Sequence, residues 1–142
     1  KLEEYTLQKK KEKFFSFLEP TLSGGLIKGN KIEKLLNDWL DNANFENTKI
    51  PLKIVATDLI TGKTTIFQKG KLSTAVRASI SVPTLFKAFQ FKNKLLVDGG
   101  ISNPVPDDIV KKMGADIVIS VNLDNYIKNE KFNEKENEIL TV

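Results

Sequence analysis

The run Leu95-Leu96-Val97-Asp98-Gly99-Gly100-Ile101-Ser102-Asn103-Pro104-Val105-Pro106 decides how the rest of the chain is read. An apolar strand ends in a carboxylate, and two residues without side chains follow. Such a strand delivers one acid to its C-terminal tip. The paired glycines leave the space beside Asp98 open and allow positive φ, so another segment or a ligand can approach the carboxylate closely. A short helix with signals at both ends comes next. Pro106 suits its first turn, Asp107 and Asp108 complement its positive N-terminus, Lys111 and Lys112 its C-terminus, and Gly114 a left-handed cap. Strand, acid, glycine gap and helix are how an open α/β sheet presents a site at its strand ends. Asp-Gly is also a common turn signal, so a purely structural Asp98 stands beside the functional one.

Downstream of that helix, Ala115 to Leu123 has the apolar, β-branched character of a further buried strand. The strand, helix, strand order from Leu95 to Leu123 predicts a βαβ unit with parallel strands and a right-handed crossover. From Asp124 the chain turns polar, and residues 125–142 read as a tail that need not pack.

Upstream, Leu52 to Leu59 reads as a buried strand, Thr61-Gly62 as a turn, and Lys63 to Gln68 as a strand returning antiparallel. Asp58 is a second carboxylate at a strand end, where a turn former is the commoner role. Lys71 to Pro83 predicts a short helix of small residues stopped by proline, and Lys92-Asn93 a turn into the strand that ends at Asp98. Within this region Ser79, Pro83 and Phe86 are the candidate pocket-lining residues. Phe86, Phe89 and Phe91 suit core packing as well as an acyl pocket. Asn30, with Glu33 three residues on, predicts a variant capping box at the start of a helix carrying Ile32, Leu35, Leu36, Trp39 and Leu40 on one face. The glycine-rich loop before it, Thr21 to Gly29, lacks the Gly-Lys-Ser/Thr ending of a P-loop and the spacing of a dinucleotide site. Residues 1–20 read as a helical or loop lead-in closed by Pro20. Its basic, amphipathic character fits a surface helix or a peripheral membrane contact.

Composition narrows the chemistry. The chain of 142 residues contains no cysteine and no histidine. Disulfide frameworks, thiolate chemistry, an internal Ser-His-Asp triad and the usual zinc sites are thereby excluded from it. Ser, Asp, Glu, Lys, the single Arg77 and the backbone remain. A net charge of +4, with lysines scattered among glutamates, gives little support to nucleic-acid binding and allows a weak attraction to anionic lipid surfaces. Targeting is not legible in a chain that opens on Lys1; a cytoplasmic or peripheral-membrane location is the expectation.

Taken in order, the segments LSGGLIKGNKIEKLL, KIVATDLITGK, AVRASISVPTLF, LLVDGGISNPVP and MGADIVISVNL resemble the C-terminal half of the patatin-like phospholipase domain in its bacterial form. The resemblance covers nearly all of residues 21–124 and implies an α/β fold: a partial patatin-like sheet with flanking helices. It implies a serine esterase cleaving carboxyl esters of lipids or phospholipids through a Ser-Asp dyad, with no metal or other cofactor. The dyad acid of the family's D-G-G motif falls on Asp98, supported by Gly99 and Gly100. The family's nucleophile sits on a G-x-S-x-G elbow. Ser16, Ser23, Ser73, Ser79, Ser81, Ser102 and Ser120 all lack that pattern. The expectation is therefore the base-bearing part of a hydrolase, inactive by itself, with a missing N-terminal half or self-association covering its exposed apolar edge. A non-catalytic α/β binding or scaffold module derived from the same fold is the alternative.

Overall fold

The computed structural model describes residues 27–122. The lead-in at 1–20, the first part of the glycine-rich loop and the polar tail lie outside the described residues. The elements in order are helix α1 (Asn30–Trp39), a 3-10 turn (Phe45–Asn47), strands β1 (Ile54–Asp58) and β2 (Thr64–Phe67), helix α2 (Leu72–Ser79), strands β3 (Phe89–Phe91) and β4 (Lys94–Asp98), a second 3-10 turn (Gly99–Ile101) and helix α3 (Asp107–Lys112).

The four strands make one sheet in the order β2-β1-β4-β3, with every pairing antiparallel. Thr61-Gly62 turns β1 into β2, with Gly62 at φ 68°, and Lys92 at φ 53° turns β3 into β4. Alternation along each strand sends Ala56, Phe67 and Leu96 into the core against Leu72, Ala75 and Ala78 of α2. Two alanines on the sheet-facing side of α2 let the helix lie close to the strands. Phe67 and Phe91 close the layer edge to face, their centroids 5.2 Å apart. Helix α1 packs on α2, and two side-chain hydrogen bonds join them: Ser73 Oγ donates to Asn37 Oδ1, and Thr74 Oγ1 donates to Glu33 Oε1.

Three expectations are corrected. Residues 115–122 form no strand, so the parallel βαβ unit is absent among the described residues. The reason is topological: β4 already has β1 on one side and β3 on the other, leaving no free edge for a parallel neighbour. The capping box at Asn30 does not form either. Helix α1 begins one residue earlier than that box requires, with Gly29 as N-cap at φ 83°, while the Glu33 carboxylate is taken by Thr74. Finally, neither Gly99 nor Gly100 has positive φ.

Candidate functional site at the tip of strand β4

Asp98 ends β4 and is half-buried. Its backbone is held from both sides. The Asp98 N–H donates to the carbonyl of Ser81 at 3.0 Å, and Thr57 Oγ1 donates to the Asp98 carbonyl at 2.7 Å. Thr57 Oγ1 also lies 2.9 Å from Ser102 Oγ, and Ser102 Oγ lies 2.9 Å from Thr64 Oγ1. This hydroxyl cluster ties β1 and β2 to the segment just beyond the acid. Of the carboxylate oxygens, Oδ1 accepts the Gly100 N–H at 2.7 Å, while Oδ2 accepts no hydrogen bond among the described residues.

The glycines act by size. A Cβ on Gly99 would stand 2.3 Å from the Val55 carbonyl oxygen, so Gly99 is where the chain crosses flush against β1. A Cβ on Gly100 would stand 3.1 Å from Asp98 Oδ1 and crowd the carboxylate itself. Beside them opens a cleft of about 360 Å³, lined by Val82, Pro83, Asp98, Gly100, Ile101, Pro104, Val121 and Asn122. Its walls are mostly apolar, with one carboxylate among them, a composition suited to a ligand with a hydrocarbon body and one reacting polar group.

The other candidates separate. Pro83 lies in this cleft wall; Ser79 and Phe86 are not among the cleft-lining residues. Ser79 ends α2, and Phe86 stacks on the Arg77 guanidinium, 5.1 Å from ring centroid to Cζ. Asp58 is a turn cap: its Oδ1 accepts the N–H groups of Ile60 at 3.0 Å and Thr61 at 3.4 Å. Burial opposes its charge, yet those N–H groups, the Thr61 hydroxyl and Lys94 together hold its carboxyl below the usual carboxylate range. Asp108 is likewise held low, first by Lys112 and then by Asn103, in an exposed pair outside the cleft.

From the sequence, the single Arg77 had no place in the site and Ser81 read as structural or pocket-lining, with nothing linking the two; both are fully buried behind the acid. The available signal was the lone arginine of the chain set among small residues, with a serine one helical turn later. Thr57 and Ser102 carried no signal, because a threonine inside a strand and a serine after a turn are ordinary residues in ordinary places.

Comparison with known proteins agrees with this architecture. The family model described as patatin-like phospholipase matches residues 1–110. An uncharacterised NTE family protein of Mycobacterium tuberculosis is 37% identical over 107 residues, which is 75% of this chain and 30% of that protein. A second NTE family protein of the same organism is 35% identical over 85 residues, 60% of this chain and 15% of its own length. Patatin-like phospholipase domain-containing protein 6 of the mouse is 27% identical over 115 residues, 76% of this chain and 8% of that protein. The sheet with its flanking helices is an α/β fold, and the chain belongs to the patatin-like phospholipase family, a family of lipid hydrolases. It spans about a third of the length of the mycobacterial relative it matches best among these three. Among the described residues, no helix is long and apolar enough to cross a membrane.

Proposed function

We propose that this chain contributes the general base of a lipid acyl hydrolase, with Asp98 as the acid of a Ser-Asp dyad and the nucleophilic serine outside residues 27–122. The observation that carries the reading is a carboxylate with a clamped backbone, one oxygen committed and the other open, beside an apolar cleft. A serine hydroxyl is a poor nucleophile until a group in reach takes its proton. In the proposed step that proton moves to Asp98 Oδ2 as the serine oxygen bonds to the ester carbonyl carbon. Collapse of the tetrahedral intermediate breaks the bond to the alcohol, which leaves with the proton held by Asp98. Water then attacks the acyl-serine, giving its proton to Asp98, and the fatty acid departs as that proton returns to the serine. Backbone N–H groups at the oxyanion would supply the remaining stabilisation. The substrate class is a carboxyl ester of a lipid or phospholipid, met at a membrane surface.

A second reading has its own observation: Oδ1 caps the Gly99–Ile101 turn, which is a structural role. One substitution separates the two. Asn at position 98 keeps an Oδ1 that accepts the Gly100 N–H, so the cap survives while the base is lost. In the intact protein carrying this chain, Asp98→Asn should lower kcat for a fluorogenic phospholipid ester by about 10²-fold or more, with an unchanged thermal melt. Near-normal turnover by that variant would leave Asp98 a turn cap and overturn the proposal.

A further inference from the structure

Behind the acid sits the largest fully buried side chain among the described residues, Arg77. Taking a guanidinium out of water is costly unless its donors are met, and here they are met by three separate stretches of chain. Nε donates to the Gly29 carbonyl at 3.1 Å, Nη2 to the carbonyls of Lys28 at 2.7 Å and Lys87 at 3.5 Å, and Nη1 to Ser81 Oγ at 2.6 Å. The rings of Phe86 and Phe89 lie 5.1 and 5.6 Å from its Cζ. Gly29 is pressed so closely on this group that an added Cβ would fall 2.2 Å from Nη2. Ser81, with no exposed surface, returns its own hydroxyl to the Arg77 carbonyl at 2.7 Å. The Ser81 main chain is thereby fixed, and its carbonyl accepts the Asp98 N–H. The next two residues, Val82 and Pro83, are cleft wall.

We propose that Arg77 is a positioning residue for Asp98, acting through Ser81. One buried cation sets the distance between the acid and the Val82–Pro83 wall, and joins both to the Lys28–Gly29 segment that opens α1. An apolar side chain of the same volume would fill the space without the desolvation cost. It would leave the carbonyls of Lys28 and Lys87 without this donor, while Gly29 keeps only the Glu33 N–H, and Ser81 would be free to shift. A misplacement of about 1 Å at a reacting group can cost about 10²-fold in rate, so a distant clamp of this kind acts on turnover more than on binding.

The catalytic part of this inference rests on the reading of Asp98 as base; the positioning part does not, and two measurements keep them apart. Amide hydrogen exchange on Ser81→Ala and Arg77→Lys should show about tenfold or greater loss of protection at Asp98, with the amides of β1 and β2 unchanged. In the intact protein the same variants should lose about 10- to 100-fold in kcat with KM within about twofold. Ser81→Ala keeps the arginine in place, so it serves where Arg77→Lys does not fold. Unchanged protection at Asp98, or a loss spread equally over β1 and β2, would overturn the positioning role even if Asp98→Asn is inactive. Conversely, an active Asp98→Asn enzyme with selective deprotection at position 98 removes the base and leaves the clamp standing.

Discussion

Gly99 and Gly100 sit side by side and do different work. Gly99 is buried, and a methyl group there would meet backbone, the Val55 carbonyl, which cannot rotate away. Gly100 is exposed, and a methyl group there meets only the end of the Asp98 side chain. The physical consequence is a split between stability and activity. Gly99→Ala should cost about 1–3 kcal/mol in urea denaturation, the usual range for forcing extra volume into a filled site. Gly100→Ala should leave the unfolding midpoint within about 0.5 kcal/mol of the parent, as exposed substitutions generally do. Turnover should nonetheless fall, because the added carbon displaces the carboxylate by a few tenths of an ångström. Equal destabilisation by both variants would show that the second glycine is also a packing residue.

Between β1 and β2, the turn is built by Asp58, and the same bonds make it acid-sensitive. Asp58 is a buried residue whose carboxylate accepts two successive N–H groups, and its carbonyl takes the Gly62 N–H at 2.8 Å. In the folded chain the carboxyl holds its proton less tightly than in the unfolded chain, where it has the ordinary value of 3.8. The stabilisation is therefore complete above the unfolded value. It is lost as pH falls through the folded one, because the unfolded chain takes up the proton first. Below pH of about 4 the parent should lose stability more steeply than Asp58→Asn, whose amide oxygen keeps the turn without titrating. Chemical denaturation at a series of pH values measures this directly; parallel acid limbs would mean the turn draws nothing from the charge. The start of α1 is a comparable case with a different result. Asn30 and Glu33 have the spacing of a box, but Thr74 on α2 supplies a tertiary partner for the glutamate, and Gly29 takes the cap because only a glycine fits against Arg77.

For the molecule as a whole, the segment after α3 is the part the antiparallel sheet does not absorb. Ile117, Ile119 and Val121 are 83%, 87% and 75% exposed and alternate as strand residues do. Apolar exposure in such a row favours association. Sedimentation velocity on the isolated chain should show concentration-dependent self-association that Ile117→Lys with Ile119→Lys reduces; a monomer at all concentrations, unaffected by the pair, would contradict this. Local chemistry made much of the fold readable beforehand. Apolar, β-branched runs and turn residues located β1, β2 and β4, and Gly114 closed α3, because each of these depends on a residue and its near neighbours; α2 stops at Ser79, short of the Pro83 expected to end it. The position of Asp98 at a strand tip was readable for the same reason. The antiparallel pairing of β1 with β2 was readable from the Thr61-Gly62 turn. The place of β4 between β1 and β3 was not, since a β-branched run is compatible with either strand direction and its partner is chosen by which edge is free. Nor was the clamp of Arg77 on Ser81, Gly29, Lys28 and Lys87, whose members lie up to 49 positions from the arginine. Such a cluster exists only after the chain has brought distant carbonyls to one buried guanidinium, and desolvation is what then obliges every one of them to find its place.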